Sequence, residues 1–468
     1  MPGTKRTRHR AGQEAPLRLV RNGPRHHNCL LVVEAFSPKE PAIKSPSVLP
    51  NSASLAASSD EFHEAFLERA ARAEGTESST VALGAFLTMR LMDQFAADRS
   101  DRELTALHYQ IWSTREFLGT TEPHTEEVGQ LEEIVRTAES VSYSGRREEI
   151  MSRLMAYAEW LEGELHFAEA SDVLATALRL TTSSPEPIRV KAHLQLGRVL
   201  RHLGQYDASR NAYRRAGDLA NEIGDIHLEF LSRIGRGVVL QKTGNLPESE
   251  RVLREVLREA FSTGDRDAEA RASHDLAVCL HHMNRGNEGA PLAFRAYQLY
   301  EQPTQRIRAL SDTGQILKER GFYGPARMAF LAVIDQEPPP EIRLRTVVEL
   351  VDLAALMGDR ISFERWRNEI VGQYERLPPD ERVDFQLKVG SGFACFGRMA
   401  EAEAHLRRAM ALAEEHALPE WLFRAEAVLK DVLERRVDKH INAEPATEAA
   451  ALPELQATIE GLEQLNVS

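Results

Sequence analysis

Cysteine is scarce in this 468-residue chain: Cys29, Cys279 and Cys395 are the only three. An odd, widely spaced set with no CxxC pair excludes a disulfide framework and a cysteine-built zinc site, and it suits a reducing compartment. Long apolar runs are also missing. The patch Cys29-Leu30-Leu31-Val32-Val33 is far shorter than the roughly 18 residues a membrane span needs, and it is too short for a signal-peptide core. A cytoplasmic protein without a membrane partner is expected. An excess of positive charge is lacking as well. With 58 Lys and Arg against 71 Asp and Glu, the net charge is −13. That balance argues against general nucleic-acid or membrane-surface binding.

Catalytic signatures are absent in the same way. There is no G-x4-G-K-[ST]; the nearest approach, Gly237 to Lys242-Thr243, lacks the second glycine. Neither Gly235-x-Gly237 nor Gly390-x-Gly392 is followed by a third glycine, and no strand pattern precedes them. No HExxH occurs. His274, His281 and His282 share one helix face at i, i+7 and i+8, with Glu288 as the only acid near them in the following helix. This is a poor metal set. No cofactor, no metal and no enzymatic activity are expected. An enzyme would need a site built from residues such as His108, Tyr109, Glu116 and His166, whose spacing demands nothing of the kind.

What is present is helical periodicity. Residues 1–60 read as a disordered basic tail: seven prolines fall in the first 50 residues, which carry nine Lys/Arg and three Asp/Glu. The remainder of the chain therefore carries −19. From Asp60, a plausible N-cap, helices are expected at Glu61–Glu74, Thr80–Ala97, Asp101–Leu118 and His124–Ser140, forming an N-terminal helical subdomain over residues 61–145.

A repeat then begins. Small residues recur as Ala158, Gly197, Gly237, Ala277, Gly314, with Val351 at the sixth place, then Gly390; the intervals are 39, 40, 40, 37, 37 and 39. Around them runs a second pattern. It reads Leu196-Gly197-x2-Leu200, Gly204, Tyr206, Ser209-x3-Tyr213-x2-Ala216 in the second unit. In the fifth it reads Thr313-Gly314-x2-Leu317, Gly321, Tyr323, Ala326-x3-Phe330-x2-Val333. The third and seventh units carry the same marks more loosely, and the first, fourth and sixth keep less of them. Two second helices run into Gly-Asp, at Gly224-Asp225 and Gly264-Asp265: a left-handed glycine ends one helix and an aspartate caps the next. Prolines supply the break elsewhere. Each second helix is therefore expected to run one to two turns longer than in a 34-residue repeat.

These residues resemble the tetratricopeptide-repeat family, over roughly residues 146–412, in a longer-period form similar to arrays in bacterial signalling and transcription regulators. The resemblance implies an all-α, right-handed superhelical solenoid of about seven antiparallel helix pairs, within residues 146–436. It ends in a capping helix, Pro419–Arg436. A linker and a short amphipathic helix with Leu455, Ile459, Leu462 and Leu465 occupy residues 437–468, and fold-back of that helix onto the array is favoured over docking on a partner.

The resemblance also implies that first helices line a concave groove. Carried onto this chain, the groove positions are Lys191, Arg198, Arg201 and His202; Lys242; Arg271, His274, His281 and His282; Arg308 and Lys318. A basic inner stripe on an acidic chain suits carboxylates, so the expected partner is an acidic peptide or protein segment held by a scaffold or adaptor. Leu194 and Arg198 stand where the family's chaperone-tail clamp has its Lys/Asn pair, so that partner is not implied. A peptide-responsive sensor acting on a separate effector is the alternative.

Overall fold

The computed structural model describes residues 63–73, 76–95, 101–122, 124–144, 146–180, 187–434 and 452–465. The basic tail, the Asp60 cap, Cys29 and most of the C-terminal linker lie outside the described residues. Four helices come first: α1 (Glu64–Arg72), α2 (Glu77–Asp93), α3 (Asp101–Gly119) and α4 (Glu126–Ser144). Seven pairs follow: α5 (Arg147–Gly163) with α6 (Phe167–Leu180), α7 (Pro187–His202) with α8 (Tyr206–Ile223), α9 (Ile226–Lys242) with α10 (Leu246–Thr263), and α11 (Arg266–His282) with α12 (Gly286–Leu299). Then come α13 (Pro303–Glu319) with α14 (Tyr323–Asp335), α15 (Pro340–Leu356) with α16 (Arg360–Val371), and α17 (Pro379–Cys395) with α18 (Met399–Glu415). The last helices among the described residues are α19 (Pro419–Leu433) and α20 (Pro453–Leu465).

The crossing residues work by close approach. A Cβ at Gly197 would lie 2.9 Å from the Tyr213 ring, one at Gly314 2.9 Å from Phe330, and one at Gly390 2.8 Å from Leu406. In each case the partner is the large residue of the same unit's second helix. Two buried serines fasten the crossing: Ser209 Oγ donates to the Gly197 carbonyl at 2.6 Å, and Ser249 Oγ to the Gly237 carbonyl at 2.8 Å. The paired glycines extend the rule between units. Gly237 faces Leu253 of its own unit, whereas a Cβ at Gly235 would lie 2.2 Å from Tyr213 of the unit before. Gly390 and Gly392 divide in the same way, Gly392 facing Phe363. The array is a solenoid of tetratricopeptide kind.

Gly224 and Gly264 adopt the left-handed conformation at the ends of α8 and α10, and the carboxylates of Asp225 and Asp265 each accept from a backbone N–H in the next helix at 3.0 Å. These two second helices run 18 residues. The expected lengthening does not extend to α6, α12, α14 and α16, which have 14, 14, 13 and 12 residues. There the second helices stop short and the chain runs through a connection to the proline that opens the next first helix, Pro187, Pro303, Pro340 or Pro379, the last connection including a 3-10 turn, Tyr374–Arg376, after α16.

First helices of successive units pack on one another along the array, and second helices of successive units do not come as close. The array therefore curves with first helices on its inner side. At its start one apolar cluster runs from Phe66 through Leu118, Leu131 and Leu154 to Ala212, so α1–α4 share a core with the first two units. Buried charge reinforces the join. His63 bridges Asp93 at 2.9 Å and Asp172 of α6 at 2.7 Å, and Glu127 accepts from Arg69 at 2.5 Å and from Tyr157 at 2.7 Å. At the other end α20 lies on α12 and α14, with Leu455 and Leu462 fully buried and Gly461 against the Phe294 ring. It folds back onto the outer side of the fourth and fifth units.

Candidate functional site

The inner face is built from seven first helices, and the period dictates its chemistry. A residue on one first helix looks across at the residue one repeat later, so opposite charges about 34–39 residues apart become neighbours. Arg198 of α7 holds Glu162 of α5 in a two-point pair, 36 residues apart, at 2.7 and 3.0 Å. His274 of α11 meets Asp312 of α13, 38 apart, at 2.7 Å. His281 meets Glu319 at 3.2 Å. Arg345 of α15 pairs with Glu381 of α17, again 36 apart.

The densest rung joins the fifth, sixth and seventh units. Lys318 Nζ donates to Glu349 at 2.6 Å and Asp352 at 2.7 Å, and Lys388 donates to Glu349 at 2.7 Å and Asp384 at 2.5 Å. Burial alone would raise the Glu349 carboxyl, but the two ammonium groups beside it outweigh that and hold it well below the usual range. Asp384 moves the other way: burial, with Glu349 and Asp352 nearby, raises it despite Lys388.

The eleven basic residues singled out from the sequence thus divide. Arg198, His274, His281 and Lys318 are committed to carboxylates of neighbouring units, and Arg271 to Asp267 of its own helix at 2.7 Å. Lys318 is 7% exposed and forms part of the packing between units rather than an open groove wall. Among the described residues, Lys191, Arg201, His202, Lys242, His282 and Arg308 have no carboxylate within ion-pair distance.

Four of these six come together on α7, α9 and α11. His202 stacks on Phe167 with ring centres 4.8 Å apart, and its Nε2 lies 3.5 Å from Arg201. Burial, then Arg201, lowers the His202 pKa; burial, His281 and Lys242 lower that of His282. Lys242 thus lies near enough to disfavour protonation of both imidazoles. The Arg201 Nε is buried without a partner. Glu162 and Glu319, each held by a basic side chain of a neighbouring unit, oppose these shifts on His202 and His282 respectively without overturning them; Asp275 nearby is raised by burial against the pull of His274, Arg201 and Arg271. Lys191 stands further along, in a cleft of about 660 Å³ between α5 and α7 lined by the apolar Met155, Ala156, Pro187 and Ile188 and also by Glu148 and Glu159. The arrangement can bind anionic groups over two or three units and offers an apolar foothold at one end. The inter-unit pairs were missed because they appear only when first helices are compared at the repeat offset.

No group of three or more His, Cys, Asp or Glu placed to hold a metal occurs among the described residues. His108, Tyr109 and His166 are engaged locally: His108 with Ser142 and Tyr143, Tyr109 with Trp112, and His166 with Glu169. No hydrogen bond or ring contact joins these three to one another or to Glu116 among the described residues. Cys279 is fully buried and Cys395 partly so, with burial raising both thiols. No described helix is long and apolar enough to cross a membrane.

No family model matches the sequence, and no curated protein matches it. Solved structures similar in fold include a Rap protein complexed with competence and sporulation factor, at 13% identity and TM-score 0.41, covering 77% of this chain and 99% of that one. The apo form of RapI is similar at 10% identity and TM-score 0.44, covering 71% and 98%. The apo form of the quorum sensor NprR from B. thuringiensis is similar at 12% identity and TM-score 0.44, covering 75% and 92%.

Proposed function

We propose that this chain is a non-catalytic binding array whose inner groove holds an acidic peptide or an acidic segment of another protein. The observation that carries the reading is the group Arg201, His202, Lys242 and His282. These are basic side chains of three successive first helices, none with a carboxylate within ion-pair distance among the described residues, and burial together with the neighbouring Arg201 and Lys242 lowers the proton affinity of the two imidazoles. Gathering them costs electrostatic energy that an anionic ligand offsets. An extended segment laid along the groove places carboxylates over these helices in turn, with Arg308 toward one end; at the other end the cleft of Lys191, which Glu148 and Glu159 also line, takes an apolar side chain of the segment rather than an acidic one.

The test is an affinity capture with the wild-type chain beside Arg201→Glu/Lys242→Glu, and beside Arg251→Glu on the second helix α10 as control. A partner kept by the wild type and the control and lost by the double variant, at equal helicity, supports the reading. Identical catches from all three contradict it. Arg198 is unsuited to this test, because its reversal strands the largely buried Glu162, whereas the partners of Arg251, Glu248 and Glu255, are well exposed and water compensates for them.

The rungs favour a second reading, a peptide-responsive sensor. A ligand carboxylate on the inner face competes with Asp312 for His274 and with Glu319 for His281. Loosening either rung relaxes the spacing between units and so the curvature. Small-angle scattering with and without the captured segment distinguishes the readings: a scaffold keeps its radius of gyration and a sensor changes it.

A further inference from the structure

We propose a second binding site, for a small organic anion carrying phosphate or carboxylate groups, in the cavity between the sixth and seventh units. The cavity opens where α16 ends and the 3-10 turn bends the chain back toward α17. Its volume, about 430 Å³, falls within the range of small-molecule sites. Its walls come from α16, the turn and α18, with only Phe385 and Gln386 from α17, so it stands apart from the inner groove.

Three arginines line it, one from each wall: Arg367, Arg376 and Arg408. Arg367 shares Glu364 with Arg398, at 2.8 and 3.0 Å. The other two have no carboxylate within ion-pair distance among the described residues. Arg376 meets only the Gln373 amide oxygen at 3.3 Å, and Arg408 lies 5.5 Å from the centre of the Tyr374 ring. Arg382 takes up the one acid on the wall, Glu375, at 3.0 Å. The Tyr374 hydroxyl is buried with no hydrogen-bond partner, a deficit that an oxyanion from the cavity would relieve. Arginines on three walls of one cavity, beside an unused hydroxyl donor, suit a compact oxyanion.

His405 adds a proton switch to the same wall. Its Nδ1 donates to Gln386 Oε1 at 2.7 Å, leaving Nε2 as the atom to be protonated. Burial, then Arg367 of α16 and Arg408 of its own helix, keeps the imidazole neutral; Glu401, also on α18, opposes them weakly. Glu375 and Arg376 of the turn line the same cavity, and α17 brings Arg382 to its edge, where it pairs with Glu375 and lies 5.8 Å from the Tyr374 ring centre. A bound anion counters the arginines and draws a proton onto His405, so binding tightens as pH falls.

The test is isothermal titration calorimetry of the full chain with inorganic phosphate and, separately, citrate. Arg376→Gln and Arg408→Gln are compared with wild type, and Arg407→Gln, which pairs with Glu403 on the same helix, is the control. Saturable binding is expected whose cavity component persists in the groove variant Arg201→Glu/Lys242→Glu, weakens roughly tenfold or more in either cavity variant and is unchanged in the control. Tighter binding of phosphate assigns the site to phosphorylated compounds, and tighter binding of citrate to carboxylates. Sulfate, whose charge is constant over the range, should bind more tightly at pH 5.5 than at pH 7.5. Because Arg408 also packs on Tyr374, Arg408→Lys serves as a folding-safe variant and should recover part of the affinity lost in Arg408→Gln. No saturable heat from any probe, or equal affinity in wild type and both cavity variants, overturns the proposal.

Discussion

Replacing Lys318 with methionine tests whether charge holds the last three units together. Methionine keeps most of the volume and removes the ammonium group. Asp352 then loses its only ion-pair partner among the described residues, keeping the more distant Lys388, and Glu349 keeps Lys388 alone. Side-chain exposure at Lys318, Glu349 and Asp352 is 7, 16 and 21%, so water compensates poorly. Stranding a buried partner costs about 3–5 kcal/mol. The loss should be local, because each repeat contacts mainly its neighbours. Hydrogen exchange should accelerate in α13, α15 and α17 and stay unchanged in α5–α8. The pH dependence follows from the carboxylates. Glu349 has its folded pKa held below its unfolded value of 4.5. Its contribution is therefore present above that value and is lost as pH falls toward the lower folded one. In the variant the stranded acids take up protons more readily, so the gap to wild type narrows between pH 7 and pH 4. A deficit under about 1 kcal/mol at pH 7, or one that does not change with pH, refutes the reasoning.

Gly235→Ala forces a methyl group into the Tyr213 ring, which is itself nearly buried, and should cost about 1–3 kcal/mol in denaturant melts. Gly163→Ala, with open space around it, should be neutral or slightly stabilising. Groove binding should tighten as pH falls from 7.5 to 5.5, because His202 and His282 sit below the ordinary 6.5 and an acidic ligand raises both. Ligand carboxylates stay ionised across that range, so fluorescence anisotropy at three pH values reads the histidines. Truncation after residue 434 uncovers Phe294 and should lower the melting temperature through the fourth and fifth units.

The repeat was legible because steric exclusion writes itself into the sequence. A crossing closer than about 3 Å leaves room only for a small residue, and the partner bulk recurs sixteen positions later, as Gly197 with Tyr213 and Gly314 with Phe330. The inner face was legible as a set of positions, since helix periodicity fixes which residues face inward. Its charge state was not. Lys318 reads as an open groove cation until Glu349 and Asp352 are brought beside it from the next unit, and Arg198 likewise until Glu162 is. Local windows do not contain these partners. The cavity behind the sixth unit was hidden for a related reason. It exists because α16 stops at 12 residues, in the unit whose sequence keeps least of the repeat pattern.

The most direct measurement is an anisotropy titration of a dye-labelled oligoglutamate peptide against wild type, Arg201→Glu/Lys242→Glu and Arg251→Glu, at low and at moderate salt. The inner-groove account predicts saturable binding to wild type and Arg251→Glu that weakens with salt, and loss of binding in the double variant. Equal binding by all three, or none by wild type at low salt, contradicts it.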